Sequence, residues 1–170
     1  MKAADKRHLV LVGMMGSGKS TIGRVLAQRL GRPLLDSDEM IEHREGRTVR
    51  DIFQSSGEPA FRAIETEALL ECLASKELAV IAAAGGVVLS ADNRAALSAS
   101  GARVVWLTAN VALLVERVKH GGHRPLLDND PEGTLIAMRD SREALYREVA
   151  DVVISVDGRS ISDVVEAILR

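Results

Sequence analysis

Gly13-Met14-Met15-Gly16-Ser17-Gly18-Lys19-Ser20-Thr21 fits the pattern G-x-x-x-x-G-K-[ST], a spacing that lets successive backbone N–H groups wrap a phosphate. The motif follows the apolar run Leu9–Val12 and opens a helical pattern over Lys19–Leu30, so a helix N-terminus adds positive partial charge. In that setting Lys19 reaches the β- and γ-phosphates of a nucleoside triphosphate, and the Ser20 hydroxyl binds Mg²⁺. The loop alone does not choose between a kinase, a GTPase switch and a motor ATPase. A guanine-reading N/T-K-x-D is absent, and the only D-x-x-G, Asp130-Pro131-Glu132-Gly133, falls in a predicted loop. Segments 78–84 and 103–107 contain no Asp or Glu, whereas a motor ATPase usually ends a strand in an acidic pair.

Three further groups could do chemistry. Asp36-Ser37-Asp38 follows the short strand candidate Leu34-Leu35. Two residues apart in an extended segment, both carboxylates face one side, so one can hold Mg²⁺ through water and the other can accept a hydrogen bond from an acceptor hydroxyl. The competing structural reading makes Asp38 the N-cap of a helix over 39–45. Arg62 and Glu65 are i,i+3 neighbours that either pair on the surface or hold an arginine fork ready for an anionic substrate. Gly85-Gly86 ends the apolar segment 78–84, either as a plain strand end or as bare backbone that a ligand can approach.

Short apolar strands must carry these groups. Strands are expected at Leu9–Val12, 34–35, 78–84, 103–107 and 152–156, alternating with helices at Lys19–Leu30, 39–45, 60–74, 91–99, 110–119, Pro131–Val149 and 160–169. Thr48 caps a further helical stretch that Gly57 and Pro59 interrupt. The alternation predicts an α/β three-layer sandwich: a parallel sheet of about five strands with helices on both faces. Val104-Val105-Trp106-Leu107 and Val152-Val153-Ile154 read as central strands. Residues 36–74, with no strand of their own, form a helical excursion at one edge, and the Gly-, Pro- and Asp-rich connection 120–133 is a lid candidate.

The 170 residues suit a single domain over 1–170, with 46% apolar and 27% charged residues. A net charge of -2 with 2% aromatic residues argues against nucleic-acid binding. No apolar run approaches a membrane span or a secretory signal, and the single cysteine, Cys72, suits a reducing compartment, so a cytoplasmic protein is expected. His8, His43, His120 and His123 show no metal-ligand spacing.

The ordered set resembles the shikimate kinase family: Gly13-Met-Met-Gly-Ser-Gly-Lys-Ser-Thr21, Asp36-Ser-Asp38, Phe61-Arg62 with Glu65, Gly85-Gly86, Arg124-Pro125-Leu126-Leu127, and Arg142 followed by Leu145-Tyr146. The resemblance runs from the phosphate loop to about Glu148. It implies a P-loop small-molecule kinase, taken as a monomer, that uses ATP and Mg²⁺ to phosphorylate the 3-hydroxyl of shikimate. A substrate-binding region over about 36–65 and a lid over about 118–133 follow from it. Catalysis is expected from Lys19, Asp38 and Arg124, with the metal shell held by Ser20 and Asp36. Shikimate would meet Asp38, Arg62, Arg142, Gly85 and Gly86, with Glu65 supporting the arginines. The nucleotide would meet Gly13, Gly16, Ser17, Gly18, Lys19, Ser20, Thr21 and Arg124, with Arg117 on adenine and Arg159 beside Ser160 closing the other side. Gly121, Gly122 and Gly133 would bracket a closing lid.

The sequence departs from the family in two places. Ala84 stands where a third glycine is usual, and Ala144 stands where proline is usual. Ala84 is expected to keep a β-region backbone with its N–H available to substrate. A kinase for gluconate or a nucleotide, and a relative that binds ATP without catalysis, are the rival readings.

Overall fold

The computed structural model describes residues 5–120 and 129–170. The expectations for Gly121, Gly122, His123, Arg124 and the rest of 121–128 lie outside them. Five strands, β1 (Leu9–Val12), β2 (Leu34–Asp36), β3 (Val80–Ala82), β4 (Arg103–Thr108) and β5 (Val152–Ser155), pair in parallel in the order β2-β3-β1-β4-β5. This is the expected three-layer α/β sandwich.

Alternation along β1 sorts the core. Val10 and Val12 face one layer with Ile81, Val104, Trp106, Leu69, Leu135 and Tyr146. Leu9 and Leu11 face the other with Ile22, Leu26, Val105, Val164 and Ile168. The helices α1 (Lys19–Leu30) and α7 (Ile161–Leu169) thus cover one face. Parts of α3 (Val49–Leu73) and α6 (Pro131–Val149) cover the other, with α4 (Ala91–Ala99) and α5 (Val111–Lys119) beside them. The excursion has its own small core, where Ile41 of α2 (Ser37–Glu45) meets Ile52, Phe61 and Ala68. Inside α3, Gly57 at φ 79° and ψ 172° breaks the helical path, as the Gly57/Pro59 interruption predicts.

Two expectations change, and one unassigned residue gains a role. β5 is an edge strand, paired on one side only, with Val153 exposed, so it is not central like β4. Asp130 is the N-cap of α6, its carboxylate accepting from the Gly133 N–H at 3.1 Å, so Gly133 belongs to the first turn of a helix and not to a loop. His8, unassigned in the sequence, joins β1 to the turn before β3: Nδ1 accepts from the Ala79 N–H and Nε2 donates to the Ser75 carbonyl, both at 3.1 Å. Among the described residues no helix is long and apolar enough to cross a membrane.

Candidate active site

The order β2-β3-β1 sets three carboxyl ends side by side: Asp36 after β2, residues 83–86 after β3, and the phosphate loop after β1. Ligands of open α/β sheets bind there. A cleft of about 900 Å³ opens at this edge, running from the loop residues 15–21 past Asp36 and Asp38 to Arg62, Glu65, residues 82–86 and Arg142. Arg117, Arg159 and Ser160 line its other end.

The phosphate loop is shaped for close approach. A Cβ on Gly13 would meet the Leu107 carbonyl oxygen at 2.5 Å, so β4 and the loop could not pack with a side chain there. Gly18, at φ 94°, is the left-handed N-cap of α1 and leaves that helix end without a side-chain cap. Ser17 is buried, and its Oγ has no hydrogen-bond partner in the protein. A buried orphan hydroxyl inside a nest of N–H groups fits a bound anion. Lys19 Nζ donates to the carbonyls of Gly13 at 2.8 Å and Met14 at 3.0 Å. Arg117 Nη1 donates to the Gly16 carbonyl at 2.9 Å, which fastens α5 to the loop.

Asp36 corrects the reading of the acidic pair. Asp36, and not Asp38, is the N-cap of α2, with Oδ1 accepting from the N–H groups of Asp38 at 3.1 Å and Glu39 at 3.2 Å. The two carboxylates are therefore not on one face of a strand. The cap leaves Asp36 Oδ2 in contact with the Ser20 hydroxyl, and Asp38 lines the cleft from the first turn of α2.

Arg62 and Glu65 pair inside the cleft and not on the open surface. Glu65 is 2% exposed, and both its oxygens accept from Arg62 Nη1 at 3.1 Å. Burial pushes the Glu65 carboxyl above its ordinary range, and the Arg62 charge opposes that rise. Glu58 accepts from Arg62 Nη2 at 3.2 Å. Arg142 is buried on α6, and its charge also reaches Glu65.

Residues 84–86 are occupied chiefly by the protein's own groups. The Ala84 N–H donates to Ser37 Oγ at 2.9 Å and is not available to a ligand, which corrects the expectation for that residue. Ala84 has no positive φ, so a side chain is tolerated in the backbone conformation it holds. The Gly85 carbonyl accepts from the Tyr146 hydroxyl at 2.6 Å. A Cβ on Gly85 would lie 3.8 Å from Arg142 Nη1, and one on Gly86 would overlap the Arg62 guanidinium. Gly86, at φ -87°, needs no special torsion, and its absent side chain makes room for Arg62. Arg62 and Arg142 thus converge on adjacent residues of one turn.

The family model described as shikimate kinase matches residues 15–170. The chain belongs to the shikimate kinase family. Shikimate kinases of Symbiobacterium thermophilum and Pseudomonas entomophila are 46% identical over 166 residues and 47% over 165. Those alignments cover 96% of this chain in both cases and 94% and 95% of the relatives. The shikimate kinase of Acinetobacter baumannii in complex with shikimate superposes with a TM-score of 0.92 at 39% identity, covering 98% of this chain and 92% of that one.

In this member of the shikimate kinase family, every site residue named from sequence except Arg124, which lies outside the described residues, is at or beside the cleft. Ser37 and Tyr146 stand in the sequence motifs with no role of their own, and Asn93 was missed. Asn93 Nδ2 donates to the Val87 carbonyl at 3.0 Å and holds the short 3-10 turn Val87–Leu89 that follows the glycines. The phenol of Tyr146, the chain's single tyrosine, is pushed up to about 12 by burial, with the Arg142 charge opposing. A lone buried tyrosine four residues after a site arginine, on the same helix face, was the signal that could have found it.

Proposed function

We propose that the protein is a shikimate kinase that moves the γ-phosphoryl group of ATP onto the 3-hydroxyl of shikimate, giving shikimate 3-phosphate and ADP. The observation that carries this is the convergence of Arg62 and Arg142 on residues 85–86, in the cleft that also holds the phosphate loop. Two guanidinium forks suit a compact carboxylate, which a lysine would bind only as a point charge.

Phosphoryl transfer depends on alignment and charge stabilisation more than on a strong base. The N–H groups of residues 13–21 and the Ser17 hydroxyl cradle the phosphates, and Lys19 exchanges its loop carbonyls for β- and γ-oxygens. Ser20 Oγ and Asp36 Oδ2 are adjoining hard oxygen donors and fit Mg²⁺, an ion that keeps several waters and phosphate oxygens in its shell. Among the described residues no cluster of three or more His, Cys, Asp or Glu could cage a metal. When bound at Ser20 and Asp36, Mg²⁺ would supply positive charge against the phosphates.

Asp38 orients the acceptor hydroxyl and accepts its proton, while Arg62 and Arg142 grip the carboxylate and Glu65 steadies both. Arg117 and Arg159 enclose the adenine, and Arg124 adds positive charge over the phosphates. The protein is taken as a monomer, and ATP as donor with a lone cysteine suits the cytoplasm.

Incubation with ATP, Mg²⁺ and shikimate, followed by phosphorus and proton NMR, tests the assignment. A phosphomonoester on the 3-hydroxyl is expected. A phosphate on another hydroxyl, or free phosphate alone, would contradict it.

A further inference from the structure

The turn that ends β3 does more than leave room for a ligand. At three consecutive residues it receives three elements, each carrying one group of the acceptor site. Ala84 donates to Ser37 of α2, the helix of Asp38. Gly85 accepts from Tyr146 of α6, the helix of Arg142. Gly86 lies against the guanidinium of Arg62 from α3. The next carbonyls are also taken, Val87 by Asn93 and Val88 by Arg94 Nη1 at 2.8 Å. A turn held at so many points has one conformation to offer.

Tyr146 is the joint of this arrangement. Its ring is 1% exposed and stacks on Trp106 of β4 at a centroid distance of 5.7 Å and an interplanar angle of 23°. The sheet therefore fixes the ring, and the ring fixes the hydroxyl. Arg142 lies one helical turn earlier on the same face, with Nη1 3.8 Å from where a Cβ on Gly85 would stand, beside the carbonyl that Tyr146 holds, and its charge reaches the same hydroxyl. We infer that the Tyr146 hydroxyl is a positioning group for shikimate. It ties the Arg142 fork to the turn that seats the Arg62 fork, and so sets the separation of the two forks that meet the acceptor carboxylate. This rests on the assignment of Arg62 and Arg142 to that carboxylate.

Bidentate recognition by two forks is sensitive to their separation, and a misplacement of about 1 Å can cost ~10²-fold. The nucleotide end of the cleft is built on α1, α5 and α7 and meets this joint at Gly85, where a Cβ would lie 3.3 Å from the Gly13 carbonyl oxygen of the phosphate loop. The Tyr146 hydroxyl donates on the other side, to the Gly85 carbonyl, so removing it acts chiefly on the acceptor substrate.

Tyr146→Phe keeps the ring, its stacking and its burial, and deletes only the hydroxyl. KM for shikimate is expected to rise about 10-fold, with KM for ATP within about twofold of wild type. Unchanged constants would overturn the role, and so would an equal rise in both, because a general loosening of the fold does not choose between substrates. A second measurement keeps the native fold. With one tyrosine in the chain, 3-fluorotyrosine reports Tyr146 alone. Its ¹⁹F resonance is expected to move on titration with shikimate and to stay in place with ADP, and no movement with saturating shikimate would overturn the role. Wild-type turnover measured alongside separates the two claims. Shikimate-dependent ADP release by wild type and Tyr146→Phe with equal constants sinks the positioning role alone. Its absence from wild type sinks the function on which the role rests.

Discussion

Glu65 shows at the residue scale how the site trades stability for readiness. It is buried against Arg62 and Arg142, and desolvation raises its pKa above the ordinary 4.5 despite both cations. A carboxyl that holds its proton more tightly folded than unfolded adds stability that is fully present below 4.5 and is lost as pH rises through the raised value. Denaturation of wild type and Glu65→Gln over that window should therefore show the wild type losing stability relative to the variant toward neutrality. The opposite trend would mean that the arginines outweigh desolvation. Gly86 is the second residue whose chemistry is local. Gly86→Ala drives a methyl into the Arg62 guanidinium, so Arg62 must leave its seat or the turn must shift. A stability loss of about 1–3 kcal/mol is expected in urea unfolding, together with a raised KM for shikimate and an unchanged KM for ATP. A variant with wild-type constants would show that Arg62 binds from elsewhere.

At the scale of elements, α2 separates the structural and chemical duties of one side chain. Asp36 caps the helix through Oδ1 and meets Ser20 through Oδ2. Asparagine caps a helix about as well as aspartate but brings no charge to a metal shell. Asp36→Asn should stay within about 1 kcal/mol of wild-type stability. It should need more Mg²⁺ and lose ~10- to 100-fold in turnover, read by magnesium titration of the rate. A variant with unaltered magnesium dependence would leave Asp36 a cap only. The same helix shows what the sequence could and could not convey. The Thr48 cap, the break at Gly57 and the phosphate loop are local rules, so they were legible residue by residue. Which of two aspartates caps α2 depends on where β2 ends, and that is fixed by pairing with β3. Val152-Val153-Ile154 reads the same on an edge as in the middle of a sheet, because position in the order is set by partners far along the chain. The purpose of Gly86 was hidden for the same reason: a glycine announces empty space but not what fills it. Here the occupant is a guanidinium from another helix.

Over the whole molecule, the sheet order brings the donor site and the acceptor site to one edge. β1 supplies the phosphate loop, β2 the acidic cap and β3 the turn that seats Arg62 and, through Tyr146, holds Arg142. The acceptor half of the cleft is thus built around a compact anion. Among the described residues, the aromatic rings lining the cleft are Phe53 and Phe61, which pack on each other at 5.5 Å and leave no open base slot between them for a nucleoside monophosphate. A longer sugar acid such as gluconate is expected to fit both forks and Asp38 less well, a difference that parallel turnover assays read. The most direct measurement is ADP release from ATP and Mg²⁺ with shikimate, gluconate, AMP or no acceptor in parallel. The account predicts kcat/KM for shikimate at least ~10²-fold above either other acceptor, the discrimination that a mismatched buried polar site imposes. ADP formed with shikimate at the rate seen with no acceptor would contradict it.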